Sequence, residues 1–303
     1  MGHARALASL AATGTKQAQG KAALLVHGAG GGGWEYELWR YAFERRGWRV
    51  VARDLEPGAS GLAATSADDY VGQLAQWLPP EERSSELVIV GASLGGALAL
   101  RAAATLRPTA VVLVNSVVPR PWAHAAAATT TATTKPVPDV LRWAGSSLER
   151  TARALPDATP EVQRWACAQW RDESGAVMRA LRAGYEASKP DCRCLFVISA
   201  EDTDVPPAEQ RAWAAAWGAA ALELPGASHV GPLLGRATPE VARRVVGWLR
   251  PEDRSHLVSS PHLEITESDS GTDQLIDVSK YLEGTRTVKF DLSRPLFSPK
   301  FTL

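Results

Sequence analysis

The chain has 303 residues, of which 45% are hydrophobic, and its 33 lysine and arginine residues balance its 33 aspartate and glutamate residues. This length is enough for one large domain with an insertion, and we expect it to bury roughly three quarters of its unfolded surface. Zero net charge is atypical of a protein that binds nucleic acid, so no nucleic acid or other polyanionic partner is expected.

Membrane spans, disulfides and metal sites are not predicted. The longest uncharged apolar stretch, residues 87–100, is shorter than the about 18 residues that a membrane span needs. The three cysteines are an odd number, and Cys192 and Cys194 are too close in sequence for an easy bridge. A C-x-C pair without nearby histidines is also a poor zinc site. With no N-glycosylation sequon, these features predict a soluble protein of the reducing cytoplasm.

Residues 1–20 are rich in alanine and carry Arg5 and Lys16 but no acidic residue. This composition fits a flexible, solvated leader or an organelle transit peptide, and it lacks the continuous apolar core of a secretory signal. We favour the flexible leader, which leaves targeting to an organelle as the alternative.

Beyond the leader, strands alternate with helices, which predicts a mostly parallel sheet covered on both faces. The first apolar strand, residues 21–26, ends in His27-Gly28, and a run of four glycines follows shortly after. Glycines have no Cβ, so this loop can present backbone N–H groups at close range. A helix over residues 35–46 and a strand over residues 48–53 are predicted next.

Residues 91–95 read Gly-Ala-Ser-Leu-Gly, a G-x-S-x-G motif centred on Ser93, between an apolar strand at residues 87–90 and a helix-forming stretch at residues 97–102. A serine in a strand–turn–helix context is typical of a nucleophile held on a strained elbow, with its hydroxyl exposed above the sheet edge. The flanking glycines let the helix begin close to neighbouring strands. The alternative is a glycine-rich turn with an incidental serine, and motifs elsewhere in the chain argue against it.

After a strand predicted over residues 110–114, the pattern changes. Between residues 118 and 190 no strand-like alternation appears, and the sequence is helical and aromatic. Its opening part, residues 125–138, is rich in alanine and threonine and is predicted to be a mobile loop. Three helices are predicted beyond it, over residues 139–153, 160–170 and 173–187.

Two further apolar strands, residues 195–198 and 221–224, each end in a loop that carries a polar residue. The first loop carries Asp202 within a D-x-x-V-P sequence, and the second carries His229 within a G-x-x-H sequence. A hydrolytic serine needs a histidine as base and a carboxylate to orient it, so Ser93, Asp202 and His229 are the candidate catalytic residues.

Together these motifs make residues 21–250 resemble the α/β-hydrolase family, in which serine, aspartate and histidine occur in this order. The resemblance implies the α/β-hydrolase fold, with a mostly parallel central sheet, helices on both faces and a helical cap. The implied organisation is a leader, a core in two parts, a cap between them and an extension of unknown role, at residues 1–20, 21–118 and 191–250, 119–190, and 251–303.

One stretch departs from the pattern of many family members. Where they read D-x-x-G-H-G-x-S, residues 54–60 read Asp-Leu-Glu-Pro-Gly-Ala-Ser, without the histidine. Together with Glu201 and Gln210, this stretch is more similar to the methylesterase and hydroxynitrile-lyase branch. The difference bears on the substrate and not on the catalytic residues.

The resemblance also implies the role of each site residue. Ser93 is the implied nucleophile, His229 the base and Asp202 the acid that orients it. The backbone N–H groups of Ala29 and Leu94 form the implied oxyanion hole. No metal ion and no organic cofactor are implied.

Two nearby side chains have competing interpretations. Asp204 is a rival for the role of the acid, and the D-x-x-V-P spacing favours Asp202. His27 is expected to brace the oxyanion loop by hydrogen bonding, and direct action on the substrate is the alternative.

Candidate substrate contacts are a glycine of the oxyanion loop and four tryptophans of the cap region: Gly30, Trp122, Trp143, Trp165 and Trp170. For each tryptophan the alternative is packing in the core of the cap. As a group they imply an apolar, bulky roof over the site. The predicted partner is a small-to-medium apolar ester or thioester, which is cleaved through an acyl-enzyme.

Two other functions stay open. A triad-dependent lyase of the hydroxynitrile-lyase type would need a cationic group near the site, and the sequence does not locate one. A non-catalytic receptor or scaffold is disfavoured because no triad position has been lost. Fold alone does not decide among these functions.

Residues 251–303 differ in character from the rest because they contain no alanine, and a helix predicted over residues 239–250 already completes the usual fold. No ligand spacing links His256 to His262, so we interpret both as solvated side chains. Two short stretches alternate like half-buried strands, at residues 263–266 and 287–292. The extension is therefore a candidate for an added hairpin, for docking on a partner or a second copy of the chain, or for disorder.

Overall fold

The computed structural model describes residues 18–79, 84–120, 122 and 136–250. Three predicted features lie wholly or mostly outside these residues: the leader, the run rich in alanine and threonine, and the C-terminal extension with its two alternating stretches. The sequence-based expectations for them stay predictions.

A parallel sheet forms the centre of the described structure. In chain order the strands are β1 (Ala18–Val26), β2 (Trp48–Ala52), β3 (Ser84–Ala92), β4 (Ala110–Val114), β5 (Val140–Leu141), β6 (Glu173–Ser174), β7 (Arg193–Ser199) and β8 (Ala220–Leu224). β5 and β6 form a separate pair, and the other six strands form one sheet in the order β2-β1-β3-β4-β7-β8. Every neighbouring pair in that sheet is parallel.

The strand order reverses between β1 and β3, because the chain passes from β1 outward to β2 and then returns to the other side of β1. In open parallel sheets, ligands bind outside the carboxyl ends of the strands at such a reversal. The loops that leave β1 and β3 begin at His27 and Ser93, so both loops lie at this position.

Helices cover both faces of the sheet. In chain order they are α1 (Glu37–Glu44), α2 (Ala67–Trp77), α3 (Leu94–Leu106), α4 (Leu148–Ala154), α5 (Pro160–Cys167), α6 (Gly175–Arg182), α7 (Pro207–Ala216), α8 (Gly231–Leu234) and α9 (Thr238–Trp248), with 3-10 turns at Gly33–Tyr36 and Leu62–Ala64. No helix in the described part of the chain combines the length and the apolar character that a membrane span requires.

Alternate side chains of the inner strands β1, β3, β4 and β7 enter two separate cores. Ala23 and Leu25 of β1 pack in the core that contains α1 and α9. Leu24 of the same strand packs in the core that contains α2, α3 and α7. A parallel strand buried on both faces must be apolar along its whole length, which is why these strands read as continuous hydrophobic runs. The predicted α/β architecture, with helices on both faces, is confirmed.

The strands extend beyond their apolar centres. β3 begins at Ser84, three residues before the predicted start, because its polar first residues still pair with β1. Glu86 lies opposite Lys21 in this register, and the Lys21 ammonium is 3.3 Å from the Glu86 carboxylate. Hydrophobic patterning detects only the buried part of such a strand.

Between β4 and β7, the described residues 136–190 form a separate group of elements that we call the insertion. The expectation that no strand occurs there is wrong, because Val140 and Leu141 of β5 pair antiparallel with Ser174 and Glu173 of β6. Two residues are too few to produce a visible alternation. The helix predicted from residue 139 begins only at Leu148.

The late start of α4 has a local cause. Gly145 has a positive φ of 71°, which interrupts helical backbone. The Ser147 hydroxyl then accepts a hydrogen bond from the Arg150 N–H and caps the helix.

Candidate active site

Ser93 stands on a strained turn between β3 and α3. Its φ is 52° and its ψ is −118°, a conformation that costs a non-glycine residue roughly 1–3 kcal/mol. The surrounding backbone holds it there: the Ser93 N–H donates to the Val114 carbonyl at 2.9 Å, and the Val117 N–H donates to the Ser93 carbonyl at 3.3 Å. The serine is therefore fixed in place at the carboxyl end of the sheet.

The two glycines of the motif allow this turn. A Cβ at Gly95 would lie 2.2 Å from the carbonyl oxygen of Val26 in β1, and a Cβ at Gly91 would lie 2.3 Å from the carbonyl oxygen of Gly95. Any larger residue at either position would push α3 away from the sheet. The glycines thus have the packing role that the sequence predicts.

His229 and Asp202 form a hydrogen-bonded pair. The His229 Nδ1 lies 2.9 Å from Asp202 Oδ2 and 3.0 Å from Oδ1. The Asp202 carboxylate is fully buried and the imidazole is only 13% exposed. Because a carboxylate only accepts, Nδ1 carries the proton and Nε2 is left free to accept another.

The Asp202 carboxylate is held by the loop around it. Its Oδ1 accepts the N–H groups of Asp204 and Val205 at 2.9 and 2.8 Å, and the Gln210 amide nitrogen lies 3.4 Å from Oδ2. Asp204, the rival acid, is exposed, and its backbone supports Asp202. The geometry favours Asp202 as the partner of His229.

The electrostatics of His229 follow from these contacts. Burial lowers the pKa of the imidazole, but the hydrogen bond to Asp202 and the negative charges of Asp202 and Asp204 outweigh it, so the pKa lies above its usual value. The pair therefore stabilises the imidazolium form that a general base must adopt.

Asn115, which sequence reasoning did not identify, forms hydrogen bonds that connect separate segments of the site. It follows β4, has a positive φ of 43° and is 1% exposed. Its Nδ2 donates to the His229 carbonyl at 2.7 Å, and its Oδ1 accepts the Ser199 N–H at 2.8 Å. One side chain thus joins β4, the end of β7 and the histidine loop. The only signal in the sequence is a lone amide directly after a fully apolar strand.

His27 sets the direction of one peptide in the loop after β1. Its Nε2 accepts the Leu55 N–H at 2.9 Å, and its Nδ1 donates to the Gly28 carbonyl at 2.7 Å. Burial lowers the pKa of His27 to about 4, so the ring stays neutral near pH 7. The Gly31 N–H also donates to the Gly28 carbonyl, at 3.3 Å.

This arrangement orients the Ala29 N–H. In a planar trans peptide the C=O and N–H point in opposite directions, so fixing the Gly28 carbonyl also fixes the Ala29 N–H. Among the described residues we find no acceptor for the Ala29 N–H. The loop passes directly beside the serine, since a Cβ at Gly28 would lie 3.2 Å from the Ser93 Cβ. Leu94 opens α3, where backbone N–H groups have no partner within the helix.

A second buried acid, Glu35, lies against Gly31 of this loop. Glu35, in the 3-10 turn that follows, is 4% exposed, and its Oε2 has no hydrogen-bond partner among the described residues. A Cβ at Gly31 would lie 2.0 Å from this oxygen. Burial raises the pKa of Glu35 to about 8, although the amides of Gly32 and Gly28 act in the opposite direction. From sequence, Glu35 reads only as an acidic residue in the first turn of a helix.

The candidate substrate contacts lie in different places. The Trp143 ring packs directly on Gly30, where a Cβ would lie 2.0 Å from Cε3. Trp165 and Trp170 both pack edge-on against Trp34, with ring centroids 5.1 and 5.3 Å away. These residues surround the loop after β1 and the turn that follows it.

Trp122 lies elsewhere. Its ring stacks on Trp213 of α7 with the centroids 6.3 Å apart, and it meets Trp217 edge-on at 6.2 Å. It takes part in an aromatic cluster against α7, which covers the main sheet, so its packing is with the main core and not in the core of a cap as the alternative expected. The described residues contain no group of three or more His, Cys, Asp or Glu side chains arranged to hold a metal ion.

A family model described as the alpha/beta hydrolase family matches residues 23–244 of the chain. No curated protein matches the chain significantly. Solved structures match it over most of their length. One concerns the metagenome-derived lipolytic enzymes LipS and LipT, with 21% identity, 77% of this chain and 95% of that chain covered, and a TM-score of 0.57.

Two further structures are similar. Polyneuridine aldehyde esterase is 20% identical, with 75% of this chain and 100% of that chain covered and a TM-score of 0.58. A pyrethroid hydrolase from Sphingobium faniae JZ-2 is 21% identical, with 76% of this chain and 97% of that chain covered and a TM-score of 0.61. At these identities the likeness establishes a shared fold.

Proposed function

Since the chain belongs to the alpha/beta hydrolase family, we propose that it is a serine hydrolase that cleaves a carboxylic ester or thioester of a small-to-medium apolar substrate. The observation that carries the proposal is the buried hydrogen bond of His229 to Asp202, in a site whose serine is held on a strained turn. A purely structural role would explain neither the strain at Ser93 nor the burial of the Asp202 carboxylate beside the His229 imidazole.

In the first step, Ser93 Oγ attacks the acyl carbon while its proton passes to His229 Nε2. The Asp202 carboxylate stabilises the imidazolium that forms and keeps the ring in the required tautomer. The imidazolium then gives its proton to the leaving alcohol or thiol, and the acyl group remains on Ser93 as an ester.

The negative charge of the tetrahedral intermediate needs hydrogen-bond donors. The Ala29 and Leu94 N–H groups are the proposed donors, and His27 orients the first of them through the Gly28 carbonyl. Removing one such donor typically lowers kcat by about 10²- to 10³-fold. Water then attacks the acyl-enzyme with His229 again as base, which releases the carboxylic acid and regenerates Ser93. The proposal requires no cofactor.

The apolar character of the substrate is inferred from the aromatic residues around Gly30. We propose that the insertion is a cap, and that Trp143, Trp165 and Trp170 contribute its apolar surface. Trp122 is assigned to packing against α7. Two structures with the same fold are named as an esterase and as a pyrethroid hydrolase, which agrees with a hydrolytic reaction and, for the first, with an ester substrate.

The lyase alternative receives less support. It would need a cationic group near Ser93, and Arg171 is the arginine whose backbone reaches the loop after β1. Its guanidinium is turned to the Leu55 carbonyl at 3.1 Å and to the carboxylates of Asp54 and Glu56 at 3.4 and 3.0 Å. That charge is already neutralised.

Rapid-mixing kinetics with p-nitrophenyl esters of increasing acyl length test the proposal. An acyl-enzyme whose hydrolysis is slower than its formation gives a burst of p-nitrophenol that is stoichiometric with the enzyme. An apolar pocket predicts that kcat/KM rises with acyl chain length before it falls. Ser93→Ala is the control and should abolish the burst. Turnover that is the same in this variant and in the wild type would overturn the proposal.

A further inference from the structure

Gly30 follows the proposed oxyanion donor Ala29, and the insertion contacts its N–H, its carbonyl and its α carbon. Its N–H donates to Glu173 Oε2 at 3.2 Å. Its carbonyl accepts the Arg171 N–H at 2.9 Å. The Trp143 ring lies against its α carbon. Gly30 therefore takes these three contacts from residues more than a hundred positions later in the chain.

Glu173 is fixed independently of this loop. It is 3% exposed, and its Oε1 accepts the Tyr70 O–H and the Ser174 N–H, each at 2.7 Å. The Ser174 hydroxyl in turn donates to the Thr65 carbonyl at 2.7 Å. The carboxylate is thus anchored to α2 and to the turn before it, and it presents its second oxygen to Gly30.

The loop needs such an anchor because of its composition. Residues 30–33 are four consecutive glycines, and Gly30 has a positive φ of 70°. Glycine populates many backbone conformations with similar energy, so such a loop has little preference of its own. Contacts from outside the loop must select the conformation in which the Ala29 N–H faces the reacting carbonyl.

We propose that Glu173 is a positioning residue for the oxyanion hole, which holds the peptide between Ala29 and Gly30 so that the adjoining Ala29 N–H is ready to receive the oxyanion. This rests on the proposed function, because an oxyanion hole contributes to catalysis only if an oxyanion forms. With this role for Glu173, the insertion both covers the site as a cap and positions a group that takes part in catalysis.

Glu173→Gln separates this role from general packing. All three partners of the carboxylate are donors, and an amide has one accepting and one donating end. Two donors face Oε1, so the amide oxygen is expected there, which leaves the NH₂ group against the Gly30 N–H. The variant keeps the shape and the Tyr70 contact and breaks only the contact to the loop.

The test compares the wild type, Glu173→Gln and Glu161→Gln, in which an exposed glutamate of the insertion that pairs with Arg164 is changed in the same way. Each is assayed for kcat and KM and for inhibition by an alkyl trifluoromethyl ketone, which forms an oxyanion on the serine, and by the matching alcohol, which does not. We expect Glu173→Gln to lower kcat and ketone affinity together by about 10- to 100-fold. KM and alcohol affinity should change little, and Glu161→Gln should match the wild type.

A folded Glu173→Gln with wild-type kcat and ketone affinity would overturn the proposal, as would an equal loss of ketone and alcohol affinity. If this variant does not fold, Glu173→Asp is tested in the same assays. Its shorter side chain keeps the negative charge but places the carboxylate farther from the Gly30 N–H. The turnover of Ser93→Ala keeps the two proposals distinguishable. A folded Ser93→Ala with wild-type turnover rejects the serine mechanism, whereas loss of turnover in Ser93→Ala together with an unaffected Glu173→Gln rejects only the role of Glu173.

Discussion

The Asn115 side chain donates a 2.7 Å hydrogen bond to the backbone carbonyl of His229, so the residue that directly follows β4 holds the loop that carries the proposed base. The same amide accepts the Ser199 N–H at the end of β7. Three segments that are distant in sequence, and that include the histidine, therefore depend on one buried side chain.

Asn115→Ala is expected to lower the free energy of unfolding by about 2–4 kcal/mol, because it leaves the buried Ser199 N–H and His229 carbonyl without a partner. Asn115→Gly is the matched control, since it loses the same contacts but accepts the positive φ of 43°. Glycine should therefore be less destabilising than alanine by about 1 kcal/mol. Urea denaturation measures both, and an alanine variant within about 0.5 kcal/mol of the wild type would contradict the account.

The second prediction distinguishes the two acids of the loop after β7. Asp202→Asn should lower kcat about 10⁴-fold, because the amide can donate to His229 Nδ1 and favour the wrong tautomer. Asp204→Asn should have a small effect at neutral pH, since the Asp204 side chain is exposed. Steady-state ester hydrolysis by the two variants gives the answer. The assignment fails if Asp204→Asn is the more damaging change.

The third prediction concerns the acidic limb of the pH profile. His229 must be neutral to accept the serine proton, so kcat/KM should fall as the pH drops through its raised pKa. The charge of Asp204 contributes to that increase. Asp204→Asn should therefore move the acidic limb to lower pH, and by less at high salt because exposed charges are screened. A limb that does not move, or moves upward, would remove Asp204 from this role.

The fourth prediction concerns stability at alkaline pH. Burial raises the pKa of Glu35 from 4.5 to about 8, so between these values the native state retains a proton that the unfolded state has released. Stability should therefore fall as the pH rises through this window. Glu35→Gln cannot ionise, and relative to the wild type it should gain roughly 3–5 kcal/mol between pH 5 and pH 9. Chemical denaturation of both proteins at pH 5 and at pH 9 measures this gain. The prediction is refuted if the free energies of unfolding of variant and wild type differ by the same amount at the two pH values.

The sequence predicted the parts of the site that depend on local order. Ser93 could be identified because its strand, turn and helix are contiguous, and the loops with Asp202 and His229 follow their own buried strands. The inner strands of the sheet could be located because burial on both faces requires uninterrupted apolar residues.

The supporting residues could not be predicted in this way. Asn115 bonds to residues 84 and 114 positions away, and Glu173 bonds to Gly30 across 143 positions. Nothing in the residues around either one indicates those partners. β5 and β6 were missed for a related reason, because a two-residue pair across the insertion leaves no periodic pattern.

The central claim is that Ser93 is the nucleophile, and mapping the adduct of a fluorophosphonate probe by peptide mass spectrometry tests it most directly. A single adduct is expected on the peptide that contains Ser93, and none in a natively folded Ser93→Ala, whose ester turnover should be lower by about 10⁴- to 10⁶-fold. An adduct on a different residue, or a Ser93→Ala variant that retains about a tenth of wild-type turnover, would contradict the serine mechanism.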